Sequence, residues 1–129
     1  MYVSLGNHDC YSDYRNEIAY SKANPQWLMS SDYYDLVIPL EDDPSKNLVN
    51  LVLNGCSLSC LKLDSNANAE ECKLFNIPVD GAEARTHKTW LEEMLKKYSA
   101  DKSTAWLAVT VHHPFSLEPA LKKHILPLL

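Results

Sequence analysis

Apolar positions recur along this chain with two different periods, and each change of period marks a new element. Over residues 81–99, Trp90, Leu91, Met94, Leu95 and Tyr98 return every three or four positions, with Glu92, Glu93, Lys96 and Lys97 between them. That spacing predicts an amphipathic helix in which Trp90 belongs to the core rather than to a ligand-stacking surface. A helix is also expected over residues 12–24, capped by Ser12, facing inward through Tyr14, Ile18 and Ala19, and stopped by Asn24-Pro25. A last one, over about residues 118–129, puts Lys122 and Lys123 on its wet face.

Between the helices the pattern turns strand-like. Residues 2–5 form a short apolar run. Residues 33–39 read as a strand ended by Pro39 and the acidic turn Glu41-Asp42-Asp43-Pro44. Residues 48–53 are apolar almost throughout, as expected of a central strand, and 104–111 read as a further buried strand. Residues 54–80, with the polar run Asp64-Ser65-Asn66-Ala67-Asn68, are expected to be an excursion over the surface. The order strand, helix, strand pair, helix, strand, helix predicts an α/β fold on a mixed sheet with at least one antiparallel hairpin.

Composition narrows the function classes. A chain of 129 residues with 46% hydrophobic positions suits one domain or a piece of one. Its net charge of −5 offers no basic stripe for nucleic acid. No apolar stretch approaches a membrane span, and no signal peptide opens the chain, a segment that a mature secreted protein also lacks. Cys10, Cys56, Cys60 and Cys72 allow three pairings, so a disulfide among Cys56, Cys60 and Cys72 and four reduced thiols both stay open. The Cys56-x3-Cys60 spacing is not that of a zinc ribbon, and there is no Asn-x-Ser/Thr sequon.

Two polar clusters stand out against this background. Leu5-Gly6-Asn7-His8-Asp9 follows the first apolar run: a glycine for a sharp turn, then an amide, an imidazole and a carboxylate. Such a set can hold a hard cation and move a proton beside it; it can equally form a polar turn whose Asn and Asp bond the backbone. The second cluster, Val109-Thr110-Val111-His112-His113-Pro114, ends a β-branched strand in two imidazoles. In open α/β sheets, functional groups gather at the carboxyl ends of strands, where two such clusters can meet despite their distance in sequence.

Taken together, these motifs resemble the calcineurin-like metallophosphoesterases, and within them the purple, or tartrate-resistant, acid phosphatases. The likeness rests on Gly6-Asn7-His8-Asp9, on Ile18-Ala19-Tyr20-Ser21-Lys22 followed by Trp27 and Tyr33-Tyr34, and on Ala84-Arg85-Thr86 with Trp90-Leu91. It continues in His112-His113-Pro114, at the place of a Gly-His-x-Pro, and in Ile125-Leu126-Pro127-Leu128-Leu129. The resemblance implies a four-layer α/β/β/α sandwich and phosphate-monoester hydrolysis at a pair of metal ions, Fe with Fe, Zn or Mn. It implies that Asn7 and His112 are ligands of one metal, that His8 protonates the leaving alkoxide, and that Asp9 orients His8. His113 is expected at the pocket rim or in packing, and His87, His124 and the remaining carboxylates at the surface. The resemblance also implies a secreted or lysosomal compartment.

The family's other site blocks, Asp-x-His, Gly-Asp-x-x-[Asp/Tyr] and Gly-His-x-His, are not found in these 129 residues. Leu53-Asn54-Gly55 stands where Leu-Asp-Thr is common, and Val111 where a glycine precedes the ligand histidine. Residues 1–129 are therefore expected to be the carboxyl-terminal portion of a catalytic domain, ending before Gly-His-x-His. Two neutral ligands do not offset the desolvation of a metal ion, so the chain alone is expected to bind metal weakly and turn over little. Its expected partners are a phosphate monoester and either the rest of the domain or a protein covering the exposed sheet edges. The alternative is an inactive phosphatase-like structural subunit of a larger assembly.

Overall fold

A computed structural model describes all 129 residues. The chain is α/β with one mixed sheet of three strands, β1 (Tyr34–Pro39), β2 (Asn47–Val52) and β3 (Thr104–Thr110), in the order β1-β2-β3. β1 and β2 pair antiparallel, with Tyr34 opposite Val52 and Pro39 opposite Asn47. β2 and β3 run parallel, with Val49 opposite Leu107 and Leu51 opposite Val109. The nearly continuous apolar stretch is the central strand, as its sequence predicts.

Around the sheet lie α1 (Asn7–Cys10), α2 (Arg15–Ala23), α3 (Gly55–Ser59), α4 (Ala69–Leu74), α5 (Ala82–Ala100) and α6 (Pro119–His124), followed by a 3-10 turn over Leu126–Leu128. Side chains alternate across a strand, so β2 serves two cores. Val49 and Leu51 face α5 and α6 and pack with Leu58, Ala84, Leu91, Leu121 and Ile125. Val52, with Tyr34 beside it, faces the other way, into a second core of Leu5, Met29, Phe75, Ile77 and all four cysteines.

Several expectations change in three dimensions. Residues 2–5 make one bridge, Tyr2 to Leu28, and no strand of the sheet. They are held instead by the Tyr34 hydroxyl, which accepts from the Val3 amide (3.1 Å) and donates to the Val3 carbonyl (2.6 Å). The first long helix begins at Arg15, with Ser12 bonded to the Asp9 carbonyl rather than capping it, and Ala19 faces solvent. β3 is not buried: β2 is its only neighbour, and Trp106, on the face away from α5, is 68% exposed. The last helix breaks at Ile125, because Pro127 supplies no amide and disfavours helical backbone before it.

The largest correction concerns residues 54–80. They start at the core: every residue of α3 is buried, and the segment first turns fully to solvent around 64–67 before α4 runs with one face exposed. Two disulfides pin it, Cys10–Cys56 and Cys60–Cys72. Asn68, almost fully buried, ties the segment back by donating to the carbonyls of Ser59 (2.6 Å) and Leu61 (2.9 Å). α4 then ends in a Schellman turn, with Asn76 at φ 55° and the Ile77 amide donating to the Cys72 carbonyl (2.9 Å). That reversal returns Ile77 to the second core.

Candidate functional site

Parallel pairing puts the carboxyl ends of β2 and β3 side by side, and the Leu53 amide donates to the Thr110 carbonyl just beyond them (2.8 Å). Past β2 the chain enters Asn54-Gly55; past β3 it enters Val111-His112-His113. Asn54 is fully buried and caps α3, its Oδ1 accepting from the amides of Cys56 (3.0 Å) and Ser57 (3.3 Å). Its Nδ2 donates to Asp32 Oδ2 (3.4 Å), a bond an aspartate at this position could not make.

Gly55 lies directly against His113. A Cβ at this position would sit 2.1 Å from His113 Nδ1, so any larger residue would displace the imidazole. His113 is 7% exposed, and neither ring nitrogen has a hydrogen-bond partner. Burial, then the neighbouring His112, holds its pKa below the ordinary imidazole value. The expectation of a packed histidine is met, and the ring fills the space that a side chain at position 55 would need.

The amino-terminal cluster supplies the other half. Gly6 is extended (φ −97°) and precedes α1, and its amide donates to Asp9 Oδ2 (2.7 Å), closing the first turn back on itself. Asn7 Nδ2 donates to the Tyr11 hydroxyl (3.4 Å), and the exposed His8 ring lies edge-on to the Tyr11 ring, centroids 5.4 Å apart. His112 packs on Gly6: a Cβ there would be 3.2 Å from Cε1 and 3.3 Å from Nε2. Two glycines thus receive two consecutive imidazoles, Gly6 taking His112 and Gly55 taking His113. The Cys10–Cys56 disulfide bonds the two glycine-bearing turns to each other, and Cys56 Sγ lies 3.7 Å from the Gly6 carbonyl.

Around this meeting point the rings run in an arc. Tyr11 stacks on Phe75 (5.8 Å), Phe75 meets His113 edge-on (6.4 Å), and His113 meets His112 edge-on (5.3 Å). Beside Tyr11 a cleft of about 490 Å³ opens, with Tyr14, Phe75, Ile77 and Glu83 among its walls. The arrangement offers two exposed imidazoles, His8 in the amino-terminal turn and His112 seated on Gly6 of that same turn, with the Asn7 amide between Gly6 and His8 and the cleft alongside. Asp9 commits one oxygen to the Gly6 amide. No three His, Cys, Asp or Glu side chains gather as a metal-holding group. Asn7 and His112, both neutral donors, do not fit a dinuclear metal centre by themselves.

No family model matches the chain. Over 113 residues, 88% of its length, it is 29% identical to the tartrate-resistant acid phosphatase type 5 of Mus musculus. The same identity and coverage hold for the enzymes of that name from Rattus norvegicus and Oryctolagus cuniculus. It is similar to part of an acid phosphatase. The aligned stretch is 32% of those relatives, so the chain spans about a third of the length of the curated proteins it matches.

One residue beside the candidate site was not foreseen from the sequence. His87, expected at the surface, is fully buried, with Nδ1 2.7 Å from Ser57 Oγ and its ring stacked on Tyr33 at 3.9 Å. Ser57 Oγ is also within hydrogen-bond distance of the Asn54 carbonyl (3.1 Å), and His87 Nε2 has no partner. Burial pushes its pKa down to about 3 and keeps it neutral. His87 is the link between α5 and the capped start of α3. The signal was present: it lies four positions before Leu91, on the inward stripe of the helix. His124, by contrast, is half-buried, with Nε2 2.7 Å from the Lys62 carbonyl.

Proposed function

We propose that this chain carries the phosphate-facing part of an acid-phosphatase-type site acting on phosphate monoesters. The observation that supports it most is the contact of His112 with Gly6, one residue before Asn7-His8, combined with the partial similarity to tartrate-resistant acid phosphatases. In this reading His8 is the proton donor. It is the most exposed polar group of the turn, free to meet a phosphate and protonate a leaving alkoxide, which mildly acidic conditions favour. The cleft beside Tyr11 gives the organic part of the ester room. Asp9 supports His8 through the backbone, by fixing the turn that carries it.

Metal chemistry of the two-ion kind would supply a nucleophile and neutralise phosphate charge. Asn7 and His112 would each contribute one neutral donor to one ion, and the remaining ligands would come from outside these residues. The proposal therefore includes a second one: residues 1–129 are part of a larger metallophosphoesterase domain. The sheet supports it, because Ile38, Leu48 and Trp106 form an apolar row on the face away from α5, where the second layer of strands would lie. No helix is long and apolar enough to cross a membrane.

A second reading, a phosphatase-like module with a structural role, draws on two commitments at the site. The Asp9 carboxylate caps α1, and the Asn7 amide bonds Tyr11. Turnover separates the two. In the longer polypeptide that the proposal requires, supplied with iron, zinc or manganese, p-nitrophenyl phosphate is hydrolysed at mildly acidic pH. There, His8→Ala lowers kcat by about 10²–10⁴-fold, the span of a lost general acid. Full metal occupancy without turnover contradicts the enzymatic reading and leaves the structural one.

A further inference from the structure

The two disulfides are alike in burial and differ in what they join. Cys60 and Cys72 connect the end of α3 to α4, twelve residues apart, within a single segment. Cys10 and Cys56 connect parts of the chain 46 residues apart, each immediately beside the site. Cys10 is the last residue of α1, the turn that presents Asn7 and His8, and Cys56 follows Gly55, the notch that receives His113. Between the Gly6 turn and α3, this bond is the only covalent tie that does not run through the long intervening chain.

We propose that the Cys10–Cys56 disulfide is a positioning element: it keeps the Asn7-His8 turn in register with the His112-His113 pair, and its reduction releases one from the other. The proposal rests on the functional reading above for its purpose, though not for its geometry. His113 is attached to the sheet through β3 and seated on Gly55, so the His pair follows the sheet. The amino-terminal turn has no strand in the sheet; its non-covalent anchors are the Tyr2–Leu28 bridge and the Tyr34 hydroxyl before Leu5, and the Tyr11–Phe75 stack and the Tyr14–Glu83 hydrogen bond after Cys10, none of them to Asn7 or His8 themselves. α1 itself is four residues long, too short to hold its orientation alone. Without the bond, α1 hinges about Leu5, and the His112 ring loses its fixed seat on Gly6. A dithiol carries out the release by attacking one sulfur through its thiolate, then closing to its own cyclic disulfide. Two electrons and two protons pass to Cys10 and Cys56, which become thiols.

Nuclear magnetic resonance of the 129-residue chain tests this. In the oxidised protein, His112 Hε1 shows a cross-relaxation peak to the Gly6 Hα protons, the contact described above. Cys10→Ala/Cys56→Ala abolishes that peak and shifts the His8 ring resonances, while the Leu91 methyl groups on the α5 side keep their native positions. Cys60→Ala/Cys72→Ala leaves the His112–Gly6 peak in place, and dithiothreitol acting on that variant removes it. Should the first double variant fail to fold, Gly6→Ala, which keeps the bond but fills the seat of His112, still moves His112 and His8 together. Persistence of the His112–Gly6 peak without the Cys10–Cys56 bond overturns the proposal. So does its equal loss on removing either bridge, which would make both merely stabilising. Orthophosphate added to the oxidised chain reports on the functional reading separately: unshifted His8 and His112 resonances there remove the purpose while the positioning result stands.

Discussion

The two cores of this chain are built by different means. On the α5 side, Val49, Leu51, Leu58, Leu91, Leu121 and Ile125 interlock at helical and strand spacing, and nearly everything that holds them is apolar area. On the other side, Leu5, Met29, Phe75 and Ile77 are joined by two disulfides, two glycine notches, a Schellman turn and the capping amide of Asn54. The candidate site lies on the second side. A core of periodic apolar contacts tolerates small readjustments of any one residue. The bonded, notched side specifies individual atoms, which a site needs when an imidazole has to stand at one place.

Three measurements sharpen this contrast. Leu91→Ala, in the middle of the periodic core, is expected to cost about 2–5 kcal/mol in denaturant unfolding, by lost transfer energy and the cavity left behind. It should leave His112 on Gly6 unmoved; a shifted His112 would mean that the two cores are not independent. Gly55→Ala is smaller in atoms but local in effect. Its Cβ would lie 2.1 Å from His113 Nδ1, so the imidazole must leave its seat, at about 1–3 kcal/mol of overpacking. The expected signature is a changed His113 ring environment with α5 resonances unchanged.

The smallest effect is a pH dependence. Glu118, the residue before α6, is nearly buried; that burial, then the Glu71 carboxylate, pushes its pKa up to about 7. Between its ordinary value of 4.5 and about 7 the folded chain holds this proton and the unfolded chain does not, so stability falls as pH rises through that window. Glu118→Gln should match the parent chain near pH 4 and exceed it by about 1 kcal/mol above pH 7, once solvent screening of the partly exposed carboxyl is allowed for. His87 works in the opposite sense. With its pKa at about 3 against an ordinary 6.5, it favours the fold above 6.5 and withdraws that support as pH falls toward 3. Removing Glu118 therefore exposes the His87 slope, and equal pH profiles for Glu118→Gln and parent would contradict the assignment.

The same division explains which parts could be read in advance. α5, β1 and β2 emerged within a residue or two because their apolar spacing is both the folding signal and the structure. The α/β class and the central position of β2 followed. Residues 54–80 did not, because their burial depends on bonds that leave no period: which cysteine meets which, and an amide capping a five-residue helix. β3 looked buried by composition, but composition does not say which strand lies at an edge. At the site, the Gly6-Asn7-His8-Asp9 and His112-His113 clusters were visible as residue types. That Gly55 is the seat of His113, and that Cys10 is tied to Cys56, became visible only once both strand ends were placed side by side.

In the proposed function the amino-terminal turn and the histidine pair act as one phosphate-facing site. Titration of orthophosphate into the oxidised chain, followed through the backbone amides of Gly6 to Asp9 and of His112 and His113, tests it most directly. The expected result is that both sets shift along one common saturation curve and that His8→Ala abolishes the response in both. Shifts confined to one turn, or two sets with different midpoints, would contradict it.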